Sequence, residues 1–146
     1  MPFASERSAG RTIDWGDRNL TVVALDDESI QGFDLALFSA GSGVSEQWGP
    51  RFAEAGAVVV DNSSYWRMKD GVPLVVAEVN PEALADHNGI VANPNCSTMQ
   101  MVVALKPILD TAGIERLVVS TYQAVSGTGQ RAVCLLYTSP SPRDRS

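Results

Sequence analysis

Cys96 sits in the stretch Asn-Pro-Asn-Cys-Ser-Thr-Met-Gln, residues 93–100, and is one of only two cysteines in the chain. A lone thiol in a soluble protein is commonly a small packing group in the core. The flanking residues offer this one a different use. Pro94 fixes its own φ and asparagine tolerates turn geometry, so Asn-Pro-Asn reads as a tight turn. An apolar periodic segment follows directly. Cys96 is thereby expected at a helix N-terminus, where unpaired N–H groups and the macrodipole favour negative charge. That setting favours a reactive thiolate. The same N–H groups are expected to receive the oxyanion that forms when a carbonyl is attacked. A thiolate beside oxyanion donors suits acyl transfer. For Ser97 and Thr98 the alternative is plain helix capping.

The elements that must position this cysteine are legible as alternating apolar runs and helical patterns. Strands are expected at Leu20 to Leu25, Asp34 to Phe38, Ala57 to Val60, Pro73 to Val76 and Leu117 to Thr121, with a short one at Ile90 to Ala92 just before the turn. Several are apolar along their whole length, as in a parallel sheet covered on both faces. Ser45 to Ala55 reads as a helix capped by Ser45 and ended by Gly56, with Pro50 as a kink in its early turns. Ser97 to Ala112 reads as a second helix whose Met99, Val102, Val103, Leu105, Ile108 and Leu109 face inward, with Gly113 as its stop. Strand, helix, strand in this order gives right-handed crossovers and a Rossmann-like, doubly wound, mostly parallel α/β sheet.

With 146 residues, 45% apolar and 19% charged, the chain has the composition of an ordinary globular domain. Its net charge of −6 argues against nucleic acid or an anionic membrane surface as partner. No apolar run is long enough to span a bilayer, and the first ten residues lack the apolar centre of a signal peptide. Two cysteines make no disulfide framework. These features lead to the expectation of a cytoplasmic protein with reduced thiols and no metal site. The end differs in character. Residues 134–146 are rich in Ser, Pro and Arg without periodicity, and read as a disordered tail or as non-native sequence. Residues 1–133 are then the working part, and Cys134 carries no expected role.

The segment VANPNCSTMQMVVALKP resembles the nucleophile segment of the aspartate-semialdehyde dehydrogenase family. The resemblance continues through FASERSAG, LALFSAGSGVS, VVVDNSSYWRM, PLVVAEVNPE and VVSTYQAVSGTGQ, from about Phe3 to Val133. It implies an NADP-dependent enzyme that reversibly converts L-aspartate 4-semialdehyde and phosphate to 4-aspartyl phosphate, in lysine, methionine and threonine biosynthesis. It implies that Cys96 is the nucleophile, passing through a thiohemiacetal and a thioester that phosphate cleaves. Gln123 matches the glutamine that orients the reacting group, a role an amide suits because it both donates and accepts. Arg67 matches the phosphate-binding arginine, whose fork fits planar oxygens; its alternative is a solvated surface arginine. Asn95 matches a further phosphate contact; its alternative is making the turn. Ser5, Arg7 and Ser8 match the segment that meets the 2′-phosphate of NADP, although Glu6 lies among them. Ser39, Ala40 and Gly41 resemble a further cofactor loop, and Ser126 and Gly127 resemble residues near the nicotinamide and substrate.

The same resemblance implies missing parts. The family opens on a Gly-rich strand–turn–helix of roughly 30 residues, and nothing like it precedes Met1. The expected sheet is therefore incomplete at the N-terminus. Most of the second domain, which in the family supplies a catalytic histidine, a substrate-binding arginine and much of a homodimer interface, is also expected to be absent. His87, the only histidine, matches no catalytic position and reads as a surface residue. Little or no turnover is expected from the chain as it stands. Two rival readings are an N-acetyl-glutamyl-phosphate reductase-like enzyme and a non-catalytic NADP-binding homologue.

Overall fold

The computed structural model describes residues 1–128 and 133–135. The chain forms two compact units, Met1–Met99 and Gln100–Ser146.

In the first unit, β1 (Phe3–Ala4) pairs in parallel with β4 (Val23–Ala24). Between them lies an antiparallel hairpin of β2 (Thr12–Trp15) and β3 (Arg18–Thr21). Its two-residue loop places Gly16 at φ 61°, as a type II′ hairpin turn requires at its first central position. The run expected as one strand over Leu20 to Leu25 is thus divided. Its start belongs to the hairpin and its end to the parallel pair, because Val22 turns its N–H back to Arg11 O at 2.8 Å.

The main sheet has the order β5 (Leu35–Phe38), β6 (Val58–Asp61), β7 (Ile90–Ala92), all parallel. Helix α1 (Ser42–Glu54) crosses from β5 to β6 and buries Ser45, Gly49 and Phe52, one face at a spacing of four and three residues. The core gathers Ile30, Ala36, Phe38, Phe52, Ala57, Val59 and Ile90. Phe52 meets Phe38 edge-on at 5.3 Å and Phe3 at 5.7 Å, so rings from both parallel sheets pack on one helix residue. This is a Rossmann-like α/β fold.

Several elements depart from expectation for identifiable reasons. Helix α1 starts at Ser42, not Ser45. Gly41, at φ 88°, takes the cap position, and Ser45 lies inside the helix with its hydroxyl turned to Asp61. The helix continues through Pro50. Pro73 to Val76 makes a single bridge, Leu74 to Ala92, instead of a strand. The Asn80 side chain closes this segment into a loop, accepting from Val76 N–H at 2.8 Å and donating to Leu74 O at 3.0 Å. Leu117 to Thr121 pairs with nothing among the described residues, and without a partner an extended segment is no strand.

Helix α2 (Cys96–Ala112) begins one residue earlier than expected. None of its residues is buried, so the expected inward face over Met99, Val102, Val103, Leu105, Ile108 and Leu109 is not formed among the described residues. An apolar face is buried only against a second apolar surface. In the second unit Leu117, Val118 and Val119 are themselves exposed. Val125–Thr128 forms a short 3-10 turn, and Val133, Cys134 and Leu135 are helical. The rest of the terminal segment, 136–146, lies outside the described residues.

Candidate functional site

The register of the main sheet sets Phe38, Asp61 and Ala92 side by side at its carboxyl edge. Asn62 N–H donates to Phe38 O at 2.9 Å and Asn93 N–H donates to Asp61 O at 2.8 Å. The three following loops, Ser39–Gly41, Asn62–Arg67 and Asn93–Cys96, therefore leave the sheet together. The carboxyl ends of parallel strands are where such sheets bind ligands.

Cys96 is exposed and is the first residue of α2. Asn95 caps that helix. Its Oδ1 accepts from Ser97 N–H at 3.1 Å, Ser97 Oγ at 2.7 Å and Thr98 N–H at 3.4 Å. Two of the N–H groups expected to receive an oxyanion are thus already occupied, and the capping that was the alternative for Ser97 and Thr98 is done by Asn95. Asn95 Nδ2 is the part of this amide left to donate to an anion. Arg67 is half-buried and aimed by the backbone. Its Nε donates to Asn93 O at 2.8 Å and one terminal nitrogen donates to Asn62 O at 3.1 Å. Among the described residues no carboxylate pairs with it. Its remaining N–H donors and its full charge stay available beside the segment that carries the cysteine.

Asp61, which sequence reasoning passed over, is fully buried at the end of β6. Its Oδ1 accepts from Ser45 Oγ at 2.6 Å and Ser63 N–H at 3.1 Å, and its Oδ2 accepts from Ser63 Oγ at 2.6 Å. The signal was present in VVVDNSS, where a lone acid ends an apolar strand before two hydroxyls. Tyr65 N–H in turn donates to Ser63 Oγ at 3.2 Å. The Tyr65 hydroxyl donates to Glu46 at 2.8 Å, and that hydrogen bond holds the phenol above its ordinary pKa of 10.0. Ser42 and Ser64 hydroxyls meet at 3.0 Å, tying the start of α1 to the loop after β6.

Ser5, Arg7 and Ser8 lie in and just before a 3-10 turn, Glu6–Ser8, at the carboxyl end of β1. None of the three spends its side chain on a partner among the described residues. Two hydroxyls and a guanidinium left unpaired form a donor set that fits a phosphate. Ser39, Ala40 and Gly41 are exposed at the end of β5. His87 is half-buried, not a bare surface residue, and its Nδ1 accepts from Gly89 N–H at 3.0 Å. Gln123, Ser126 and Gly127 belong to the second unit and are exposed. Gln123 Nε2 donates to Thr121 Oγ1 at 3.1 Å, and Ser126 and Gly127 lie in the 3-10 turn. Among the described residues no group of acids, histidines and cysteines is arranged to hold a metal, and no helix is long and apolar enough to cross a membrane.

A parallel Rossmann-like sheet with donor loops at its carboxyl edge defines a nucleotide-binding α/β protein. The family model of the semialdehyde dehydrogenase NAD binding domain matches residues 1–87, and that of the semialdehyde dehydrogenase dimerisation domain matches 105–144. The chain belongs to the semialdehyde dehydrogenase family. It is 60% identical over 134 residues to an aspartate-semialdehyde dehydrogenase of Aquifex aeolicus, covering 90% of this chain and 39% of the relative. Among solved structures it resembles aspartate semialdehyde dehydrogenase II of Vibrio cholerae complexed with ASA, at a TM-score of 0.79 and 48% identity over 92% of this chain and 41% of that one. It also resembles the Candida albicans enzyme with NADP, at a TM-score of 0.59 and 27% identity over 77% of this chain and 39% of that one. The chain therefore spans about two fifths of the length of these relatives.

Proposed function

We propose that this chain is the cofactor-binding and nucleophile-bearing part, residues 1–133, of an NADP-dependent aspartate-semialdehyde dehydrogenase. The observation that carries the reading is the joining of Arg67 to the cysteine segment. An arginine with no carboxylate partner among the described residues donates to Asn93 O, three residues before an exposed cysteine that opens a helix. A nucleophile and an anion site held by one backbone segment fit the phosphorolysis of an enzyme-bound acyl group.

In this reading the Cys96 thiolate attacks the aldehyde carbon of L-aspartate 4-semialdehyde. Arg67 and the Asn95 amide N–H hold the incoming phosphate. Gln123 orients the reacting group. Ser5, Arg7 and Ser8 hold the 2′-phosphate of NADP, with Ser39, Ala40 and Gly41 along the cofactor and Ser126 and Gly127 near its nicotinamide. NADP, when bound, supplies the hydride acceptor. A homodimer agrees with the matched dimerisation domain, and a cytoplasmic setting agrees with a biosynthetic enzyme. The reductase acting on N-acetyl-glutamyl phosphate is the rival substrate reading; the curated relatives named for the aspartate enzyme favour the latter.

A chimera tests this directly. Residues 1–133 replace the matching segment of the Aquifex aeolicus relative. Phosphate-dependent NADPH formation is expected with L-aspartate 4-semialdehyde and not with N-acetyl-glutamate 5-semialdehyde. Cys96→Ser is expected to remove ~10³-fold or more of it. Equal turnover by the serine variant would overturn the reading.

A further inference from the structure

We propose that Asp61 is a positioning residue. Its buried carboxyl group holds the Asn62–Arg67 loop in the one arrangement that presents the Arg67 guanidinium as an anion site beside Asn93–Cys96. The proposal rests on the reading of Arg67 given above.

Three observations converge on this residue. Asp61 is completely buried, and among the described residues no cation pairs with it. Burying an acid in a sheet core is costly unless its oxygens are fully bonded. Val59, two residues earlier on the same strand, shows that an aliphatic side chain fills this layer well. The bonds that offset the cost run in defined directions. Ser45 approaches from α1, and Ser63 approaches twice from the loop that leads to Arg67, through its hydroxyl and its N–H. Ser63 Oγ then accepts from Tyr65 N–H, so the fixed point extends two residues further towards Arg67.

The main chain of the same residue closes the circuit. Asp61 O accepts from Asn93 N–H. Asn93 O accepts from Arg67 Nε, and Asn62 O accepts from another nitrogen of the same guanidinium. Arg67 thus reaches back to the residue that follows Asp61 and to the residue that follows its β7 neighbour Ala92. The Ser63 turn decides where Arg67 starts, and Asn93 decides where its head group ends. Asp61 bonds to both. The two Ser63 bonds set the course of the loop, while the Ser45 bond ties the same carboxyl group to α1, and no buried side-chain donor or acceptor among the described residues lacks a partner.

The test uses this chain with Cys134→Ser, so that Cys96 is the thiol read out. Its carbamidomethylation rate by iodoacetamide is measured at pH 7 against rising inorganic phosphate, giving an apparent phosphate affinity. Asp61→Asn and Ser63→Ala are expected to weaken that affinity about fivefold to tenfold while the phosphate-free labelling rate changes less than about twofold. Ser45→Ala removes a bond to the same carboxyl group from the helix side. It is expected to lower the urea midpoint yet leave the phosphate affinity within about twofold of the parent. If phosphate gives no protection in the parent chain, the anion-site reading of Arg67 fails and the proposal falls with it. If the parent is protected and Ser63→Ala and Asp61→Asn are protected equally well, the Arg67 reading stands and the positioning role of Asp61 is overturned. An equal loss of affinity in Ser45→Ala also overturns it, since general loosening would then explain all three.

Discussion

The amide of Asn95 has two ends, one committed to the fold and one proposed to meet phosphate. The oxygen caps α2 through the N–H groups of Ser97 and Thr98, which leaves the nitrogen for an anion. The two tasks separate by substitution. Asn95→Ala removes the cap and is expected to cost about 1 kcal/mol of stability, read as a lower urea midpoint. Asn95→Asp keeps a capping oxygen and so keeps the midpoint. It places a negative charge where phosphate is proposed to sit, and is expected to abolish phosphate protection of Cys96 against iodoacetamide. Tyr65 offers a separate check. Its bond to Glu46 raises the phenol pKa above 10.0. A raised folded-state pKa means that the stabilisation is complete below the unfolded value and is lost as pH climbs through the folded one. Glu46→Gln is therefore expected to lower the Tyr65 midpoint in a titration followed at 295 nm, with Tyr65→Phe identifying the signal.

At the level of elements, what the sequence revealed depended on how local the cause was. Ile90–Ala92 and the helix that follows Asn95 were legible because an apolar strand, a turn tripeptide and a helical period adjoin one another in the chain. The carboxyl edge of β5, β6 and β7 followed from the same order. Ser45 was misread as a cap because its true partner, Asp61, lies sixteen residues away across the α1–β6 interface. Pro73 to Val76 was misread as a strand because Asn80, beyond the apolar run, claims the Val76 N–H. Cys96 stood out by its turn and helix context, and Arg67 and Asn95 by motif resemblance; Asp61 did not, since VVVDNSS shows an acid and two hydroxyls but not the Ser45 that α1 brings to it. One glycine carries a tertiary constraint of this non-local kind. Gly89 has φ 89°, and a Cβ there would lie 2.8 Å from the Ala53 Cβ of α1. Its carbonyl also accepts from Val59 N–H at 2.8 Å, at the start of the β6–β7 pairing. Gly89→Ala adds left-handed strain to an overpacked contact and is expected to destabilise the first unit by about 2–4 kcal/mol, measured by urea denaturation.

At the scale of the first unit as a whole, one surface feature is an apolar groove. It has a volume of about 550 Å³ and runs between β1 and β5, lined by residues including Phe3, Phe33, Leu35, Leu37 and Val44. Among the described residues strand β5 is the edge of its sheet, and its side chains alternate. Ala36 and Phe38 are buried against the core, whereas Leu35 is 55% and Leu37 77% exposed. Two leucines on the outer face of an edge strand, next to an apolar groove, leave more contiguous apolar surface in water than scattered surface leucines do. The hydrophobic effect then favours any contact that covers them. In solution this chain is expected to bind an apolar dye such as anilinonaphthalene sulfonate and to self-associate as its concentration rises. Leu37→Glu is expected to reduce both. It replaces a side chain with little burial to lose, so its urea midpoint should stay within about 0.5 kcal/mol of the parent. Sedimentation velocity and dye fluorescence on the two proteins decide the matter. Undiminished association by the glutamate variant would place the adhesive surface elsewhere, and the exposed Leu117, Val118 and Val119 of the second unit would be the next residues to change.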